Sequence, residues 1–187
     1  MQDFLSCVYC ELYNMAIEIY SDPNIQIKNP SSDYGFQIAE LVKNSPPLDL
    51  NSTYHYFIQS HYFAETCAIA VNEADKVIGY VSGFNDPRNS KTLFIWQVAI
   101  SKEARGSGLA SKLIHFILHK HTQVQFIETT ITKDNTASIS LFNKISKELN
   151  TNIIEEPFLD KSKHFLNQHD SENLFRIGPF KILKENP

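Results

Sequence analysis

The sequence predicts a single mixed α/β domain, and three observations carry that prediction. Segments that alternate apolar and polar residues recur along the chain, and segments with an apolar face at helical spacing stand between them. One strand also runs straight into a glycine-containing loop that opens a helix. A chain of 187 residues can bury a real core, and 42% apolar with 20% charged residues is a globular balance. No repeat, low-complexity tract or linker divides it, so the expected organisation is a poorly ordered extension over residues 1–20 and one domain over residues 21–187.

Taken in order, Ile25-Gln26-Ile27-Lys28 alternates as a short strand closed by Asn29-Pro30. Ser31-Ser32-Asp33 offers a helix cap, and Phe36, Ile38, Ala39, Leu41 and Val42 supply an apolar face up to Asn44. Pro46-Pro47 ends that helix, because proline lacks the amide donor and pushes the preceding residue extended. A second helix is expected from Thr53 to Phe63, capped by Asn51 or Ser52. Strands Cys67 to Val71 and Val77 to Phe84 follow, then a loop from Asn85 to Ser90 and a long strand from Thr92 to Ile100. Leu109, Leu113, Ile114, Ile117 and Leu118 mark the helix after the glycine loop. Phe126 to Ile131 reads as a strand, and Asn135 to Leu149 as a helix with Ile139, Leu141, Phe142, Ile145 and Leu149 inward. After Asn152 to Ile154, the stretch Pro157 to Asp170 has little pattern, and Asn173 to Phe180 resumes as a strand.

Composition narrows the function. Lys and Arg number 17 against 21 Asp and Glu, a net charge of −4. That offers no basic footprint for nucleic acid, and its sign suits a small cationic substrate. No apolar run approaches the roughly 18 residues of a membrane span. Asp3 and Glu11, with no basic neighbour, are unlike a signal peptide, so a cytoplasmic protein without a membrane partner is expected. Cys7 and Cys10 form a C-x-x-C pair, but no second pair completes a zinc site and no strand-helix context frames a redox site. Met15, after which the periodic sequence begins, is an alternative natural start. His115 and His119 stand four apart, yet Phe116 occupies the place where a metalloprotease motif needs Glu. A solvated helix face, with no metal, is the expectation.

The glycine loop holds the chemistry. Glycines let backbone approach a phosphate, while the free amides and positive end of the following helix favour the anion. A Walker loop needs Gly-Lys-Ser/Thr, and no Lys follows Gly108. The dinucleotide fingerprint needs a third glycine where Ser111 stands. A purely structural turn stays open on these grounds alone.

The run Arg105-Gly106-Ser107-Gly108-Leu109-Ala110 resembles the Arg/Gln-x-x-Gly-x-Gly/Ala signature of the GNAT acetyltransferase superfamily. The preceding Trp96-Gln97-Val98-Ala99-Ile100 looks like that family's splayed strand, and Asn135-x-x-Ser138-x-x-Leu141-Phe142 resembles its second block. The resemblance implies a GNAT-type mixed, largely antiparallel sheet flanked by helices, with a splayed central strand pair holding coenzyme A. It implies acetyl-CoA as co-substrate, bound by Val98, Ile100, the Arg105-to-Ala110 loop and Asn135. Many members carry Tyr where Phe142 stands, and Phe142 cannot protonate a departing thiolate.

The flanking sequence is similar to the diaminobutyrate acetyltransferase family of ectoine biosynthesis. The likeness lies in Ser45 to Tyr54, Phe94 to Val98, Glu128 to Thr132 and Glu172 to Phe180. It implies a homodimer that acetylates the γ-amine of a diamino acid, a substrate with two ammonium groups that calls for acidic side chains. Asp49, Tyr54, Trp96, Thr129 and His169 are the expected substrate contacts. Glu128 is the first candidate for the base and Glu172 the second, with the amide near Val98 polarising the thioester carbonyl. Strand alternation puts Trp96 on one face with Phe94, Val98 and Ile100. Taken singly, Trp96 could be core, Asp49 a helix cap, and Tyr54 a packing residue with a wet hydroxyl. Another diamine, a polyamine or a protein amine as acceptor, or a degenerate acetyl-CoA sensor, are the competing readings.

Overall fold

The computed structural model describes residues 24–182. The C-x-x-C pair, Met15 and the extension over residues 1–20 lie outside the described residues. Seven strands form one sheet: β1 (Ile25–Lys28), β2 (Ala68–Asn72), β3 (Val77–Asp86), β4 (Asn89–Ile100), β5 (Phe126–Thr132), β6 (Ile153–Leu159) and β7 (Glu172–Ile177). Among the described residues four α-helices flank it: α1 (Gly35–Lys43), α2 (Thr53–Tyr62), α3 (Leu109–Lys120) and α4 (Thr136–Glu148). The strand order is β1-β2-β3-β4-β5-β7-β6. Every pair is antiparallel except β4 with β5.

Burial follows from the periods of the elements. Leu109, Leu113, Ile114, Ile117 and Leu118 of α3, with Phe142 and Ile145 of α4, pack on Ala70, Val81, Leu93, Ile127 and Phe175. On the opposite face Ile38, Leu41 and Val42 of α1 and Tyr56 of α2 cover Ile69, Val71, Tyr80 and Ala99. The result is a three-layer sandwich with the sheet in the middle. Ser52 caps α2 by accepting a hydrogen bond from the His55 amide at 3.3 Å.

The structure departs from the sequence reading in four places. Phe36 is 62% exposed and lies off the buried stripe of α1. The expected Asn85-to-Ser90 loop shrinks to a turn at Pro87-Arg88, because the Asp86 carboxylate accepts from the Arg88 amide at 2.9 Å and from its guanidinium at 3.0 Å. The patternless stretch after Pro157 begins as strand: β6 runs to Leu159, and Pro157 is tolerated because β6 is an edge strand.

The fourth departure concerns the faces of β4. Ser82 opposes Gln97 but Gly83 opposes Ile95, so Trp96 occupies a bulge. An extra residue inverts the alternation beyond it. Phe94 stacks on Phe84, Trp96 meets His55 of α2, and Ala99 packs with α1. Ile95, Val98 and Ile100 pack on the α3 side. Trp96 therefore does not share a face with Val98 and Ile100.

Candidate active site

The parallel pairing of β4 and β5 is brief: Thr92, Leu93 and Phe94 pair with Phe126, Ile127 and Glu128, and then the strands part. The gap is lined by backbone. The Ser101 amide donates to the Ile78 carbonyl of β3 at 2.9 Å. Amide directions alternate along a strand, so the amides of Val98 and Ile100 point away from β3, into the gap. Arg105 Nε donates to the Ile100 carbonyl at 3.2 Å and ties the glycine loop to the end of β4.

At that end Gly106 and Gly108 both adopt positive φ, +79° and +77°, which a side chain would resist. Gly108 is also the N-cap of α3, and the first helical amides beyond it have no intrahelical acceptor. Nothing lies within 4 Å of a Cβ built on Gly106, and Lys144 Nζ of α4 lies 3.7 Å from one built on Gly108. Open glycine backbone, a helix N-terminus and a lysine suit a pyrophosphate, and the unpaired amides along the gap suit an extended amide-bearing arm. The site residues fit coenzyme A.

Sequence reasoning missed Lys144. It stands two places past Phe142, and only the packing of α4 beside α3 brings it to the loop. Glu148 anchors that packing: it accepts from Ser111 Oγ at 2.6 Å, meets His115 Nε2 at 3.0 Å and pairs with Lys144 at 3.5 Å. Burial alone would raise the Glu148 carboxyl, but His115 and Ser111 overcome this and hold it at about 2. Asn135 caps α4, its side-chain oxygen accepting from the Ser138 amide at 3.1 Å. Asn135→Ala is expected to cost about 1 kcal/mol of stability, read as a lower urea midpoint at unchanged m-value.

The other expected site residues lie toward the face of the sheet under α2. Glu128, Thr130 and Thr132 of β5 share it with Glu172, Leu174 and Arg176 of β7, opposite Ile127, Ile131, Phe175 and Ile177 of the core. Thr129 is buried on the core side of β5 and does not join them. Trp96, 46% exposed, borders a cleft of roughly 440 Å³ with His55, Ile58, Phe63, Phe84 and Pro87. Tyr54 is exposed on α2.

The expected acids separate into two groups. Glu128 sits where the strands still pair, level with Phe94, and its carboxylate is engaged by Arg176. Arg176 in turn lies over the Phe126 ring, 4.0 Å from its centroid. At about 3.3 Å per residue, the Glu128 backbone stands about 13 Å along the strand from the level of Val98, whereas the strand pair has opened at Val98. Glu172 is level with Thr132, at the open end of the gap. There His169 Nε2 lies 3.0 Å from Asp49 Oδ2 and 3.8 Å from Glu172 Oε1. Three of the expected site residues thus meet, Asp49 and His169 across 120 positions of sequence.

His169 carries a proton in this arrangement. Its Nδ1–H donates to the Asp170 carbonyl at 2.7 Å, and that bond, with the charge of Asp49, raises its pKa above the usual 6.5. A raised folded-state value means that the docking is fully present below the ordinary pKa and is lost as pH rises through the raised one. An NMR titration of the His169 ring is expected to give a midpoint above 6.5 that Asp49→Asn lowers. Cys67, by contrast, is buried with its thiol pushed up to about 12 and offers no nucleophile. Among the described residues no group of three or more His, Cys, Asp or Glu is placed to hold a metal ion, and no helix is long and apolar enough to cross a membrane.

Comparisons with known proteins agree with this geometry. The sequence profile of the acetyltransferase (GNAT) family matches residues 36–146. The L-2,4-diaminobutyric acid acetyltransferase of Methylotuvimicrobium alcaliphilum is 42% identical over 164 residues, 87% of this chain and 95% of that protein. That of Halomonas elongata is 40% identical over 157 residues, 83% of this chain and 81% of that protein. Diaminobutyrate acetyltransferase EctA from Paenibacillus lautus, solved with L-2,4-diaminobutyric acid and coenzyme A, superposes with a TM-score of 0.80 at 33% identity, covering 86% of this chain and 98% of that one. A parallel strand pair that opens above a glycine loop, with this degree of likeness over nearly the whole chain, means that the protein belongs to the diaminobutyrate acetyltransferases of the GNAT superfamily.

Proposed function

We propose that the protein transfers the acetyl group of acetyl-CoA to the γ-amine of L-2,4-diaminobutyrate, giving Nγ-acetyl-diaminobutyrate for ectoine synthesis. The observation that carries this reading is the meeting of Asp49, His169 and Glu172 at the open end of the β4–β5 gap, where β4 has parted from β5 and the Val98 amide points away from β3. Two carboxylates there suit a dication, and one imidazolium leaves room for a single carboxylate on the same molecule.

The γ-amine arrives as an ammonium, since a free alkyl amine titrates near 10.4. Glu172 takes one proton, directly or through water, and passes it to solvent. The amine then attacks the thioester carbon, while the Val98 amide donates to the developing oxyanion. Collapse breaks the C–S bond, and the second amine proton is available to the thiolate by way of water. Phe142 is buried in the core and plays no part in that transfer. Asp49 and His169 hold the remaining charges of the substrate, and Trp96 walls the cleft. Glu128, paired with Arg176, serves as a strut between β5 and β7.

Release of free thiol across a panel of amines tests the reading. Turnover is expected with diaminobutyrate well above that with other diamines, polyamines or lysyl peptides; preference for a lysyl peptide, or cofactor binding with no turnover, would overturn it. The same reading has the protein acting as a homodimer in the cytosol. A sedimentation mass of two chains checks the first part.

A further inference from the structure

Gln97 stands at the bulge of β4, between the cleft residue Trp96 and the oxyanion amide of Val98. It is 5% exposed. Its backbone amide donates to Ser82 Oγ at 3.2 Å, and its side-chain Nε2 donates to the Asp49 carbonyl at 2.8 Å. A carbonyl can only accept, so the amide must present its NH2 to Asp49 and turn Oε1 the other way. Oε1 is buried there without a protein donor among the described residues. A leucine or methionine would fill the same space and bury no unpaired oxygen, so packing alone does not account for an amide.

The loop that Gln97 holds has few ties of its own. Pro46 and Pro47 bring no amide donors; the loop's backbone amides bond at Leu48 to Ser45 at 3.2 Å and at Asn51 to the Tyr56 hydroxyl at 3.3 Å, while Leu48 packs on the α1-side core and the Asp49 carboxylate meets His169. Neither backbone-amide bond reaches the sheet. The Gln97 bond does, and it reaches the residue whose carboxylate meets His169.

We propose that Gln97 is a positioning residue, tying the acceptor-binding loop to the strand that polarises the thioester and so setting the distance between the Asp49 carboxylate and the reacting carbonyl. This rests on the reading of the acceptor site given above. Gln97 touches neither reactant; it acts through Asp49.

A double-mutant cycle tests it. Gln97→Met, which keeps the volume and loses the donor, is expected to raise the KM for diaminobutyrate at least tenfold and to leave the KM for acetyl-CoA within twofold. In an Asp49→Asn background the same substitution is expected to change the diaminobutyrate KM less than twofold. Equal effects in both backgrounds, or equal rises in both KM values, would overturn the proposal. Should Gln97→Met not fold, Gln97→Asn keeps the amide but falls one methylene short, and the same split is expected; an unchanged diaminobutyrate KM in a folded Gln97→Asn protein overturns it. If the wild type does not acetylate diaminobutyrate, the acceptor reading fails but the tie is still measurable. Amide exchange at residues 48–51 should then quicken at least tenfold in Gln97→Met with β2 unaffected, and unchanged exchange sinks the tie.

Discussion

Gly108→Trp is expected to weaken coenzyme A binding at least hundredfold in calorimetry, with the fold retained. Two effects act together. Gly108 holds φ at +77°, and a side chain in that region costs about 1–2 kcal/mol. The indole would also occupy the space between the loop and Lys144 Nζ, which lies 3.7 Å from the Cβ position, and would block the α3 amides from an anion. A hundredfold loss is about 2.7 kcal/mol, so strain that shifts the loop and occlusion of the phosphate site are together sufficient. Gly106→Ala should lose less, because its Cβ meets nothing within 4 Å and only the φ of +79° opposes it. Unchanged affinity in a folded Gly108→Trp protein would remove the loop from the cofactor site.

Glu172→Gln is expected to lower kcat by about a hundredfold to ten-thousandfold, the range for loss of a positioned base, while acetyl-CoA affinity stays within twofold. The carboxylate lies at the level of Thr132, where β4 and β5 are apart, and belongs to the cluster that contains His169 and Asp49. Glu128→Gln should behave differently. Its carboxylate is the partner of Arg176, so neutralising it leaves a partly buried guanidinium without its anion. The expected result is a stability loss on the order of 1–3 kcal/mol with a much smaller change in kcat. A larger kcat loss in Glu128→Gln than in Glu172→Gln would reverse the assignment of the two acids.

The elements were mostly legible because each carries its own local signal. Ile25 to Lys28 and Phe126 to Ile131 alternate, α3 repeats Leu109, Leu113, Ile117 at helical spacing, and Ser52 and Asn135 cap the helices that follow them. Errors fell where a long-range partner overrides the local pattern. Asn85 to Ser90 is polar and rich in turn residues, yet β3 and β4 pair across it to leave only a tight turn. Pro157 reads as a breaker, yet an edge position in β6 asks nothing of its missing donor.

The cofactor half of the site belongs to the same local class. The order of strand, Arg105-to-Gly108 loop and helix needs only positive φ at two glycines and free amides at a helix start, and these are properties of consecutive residues. The acceptor half is different. A single bulge at Trp96 sends its ring under α2 while Val98 turns to the α3 side, and no spacing rule reveals a bulge set by the register of β3. Asp49 and His169, 120 positions apart, meet only because β6 and β7 return past the end of the gap. Arg176 finds Glu128 through the β5–β7 register, and Lys144 finds Gly108 through the packing of α4. The sequence by itself thus determined the fold class, the strand that runs into the glycine loop and the acids that are candidates for a base, because periodicity and φ are local. Which acid stands at the open end of the gap, and which is locked against an arginine, was decided by tertiary structure alone, because register and long-range approach place a charge and composition does not.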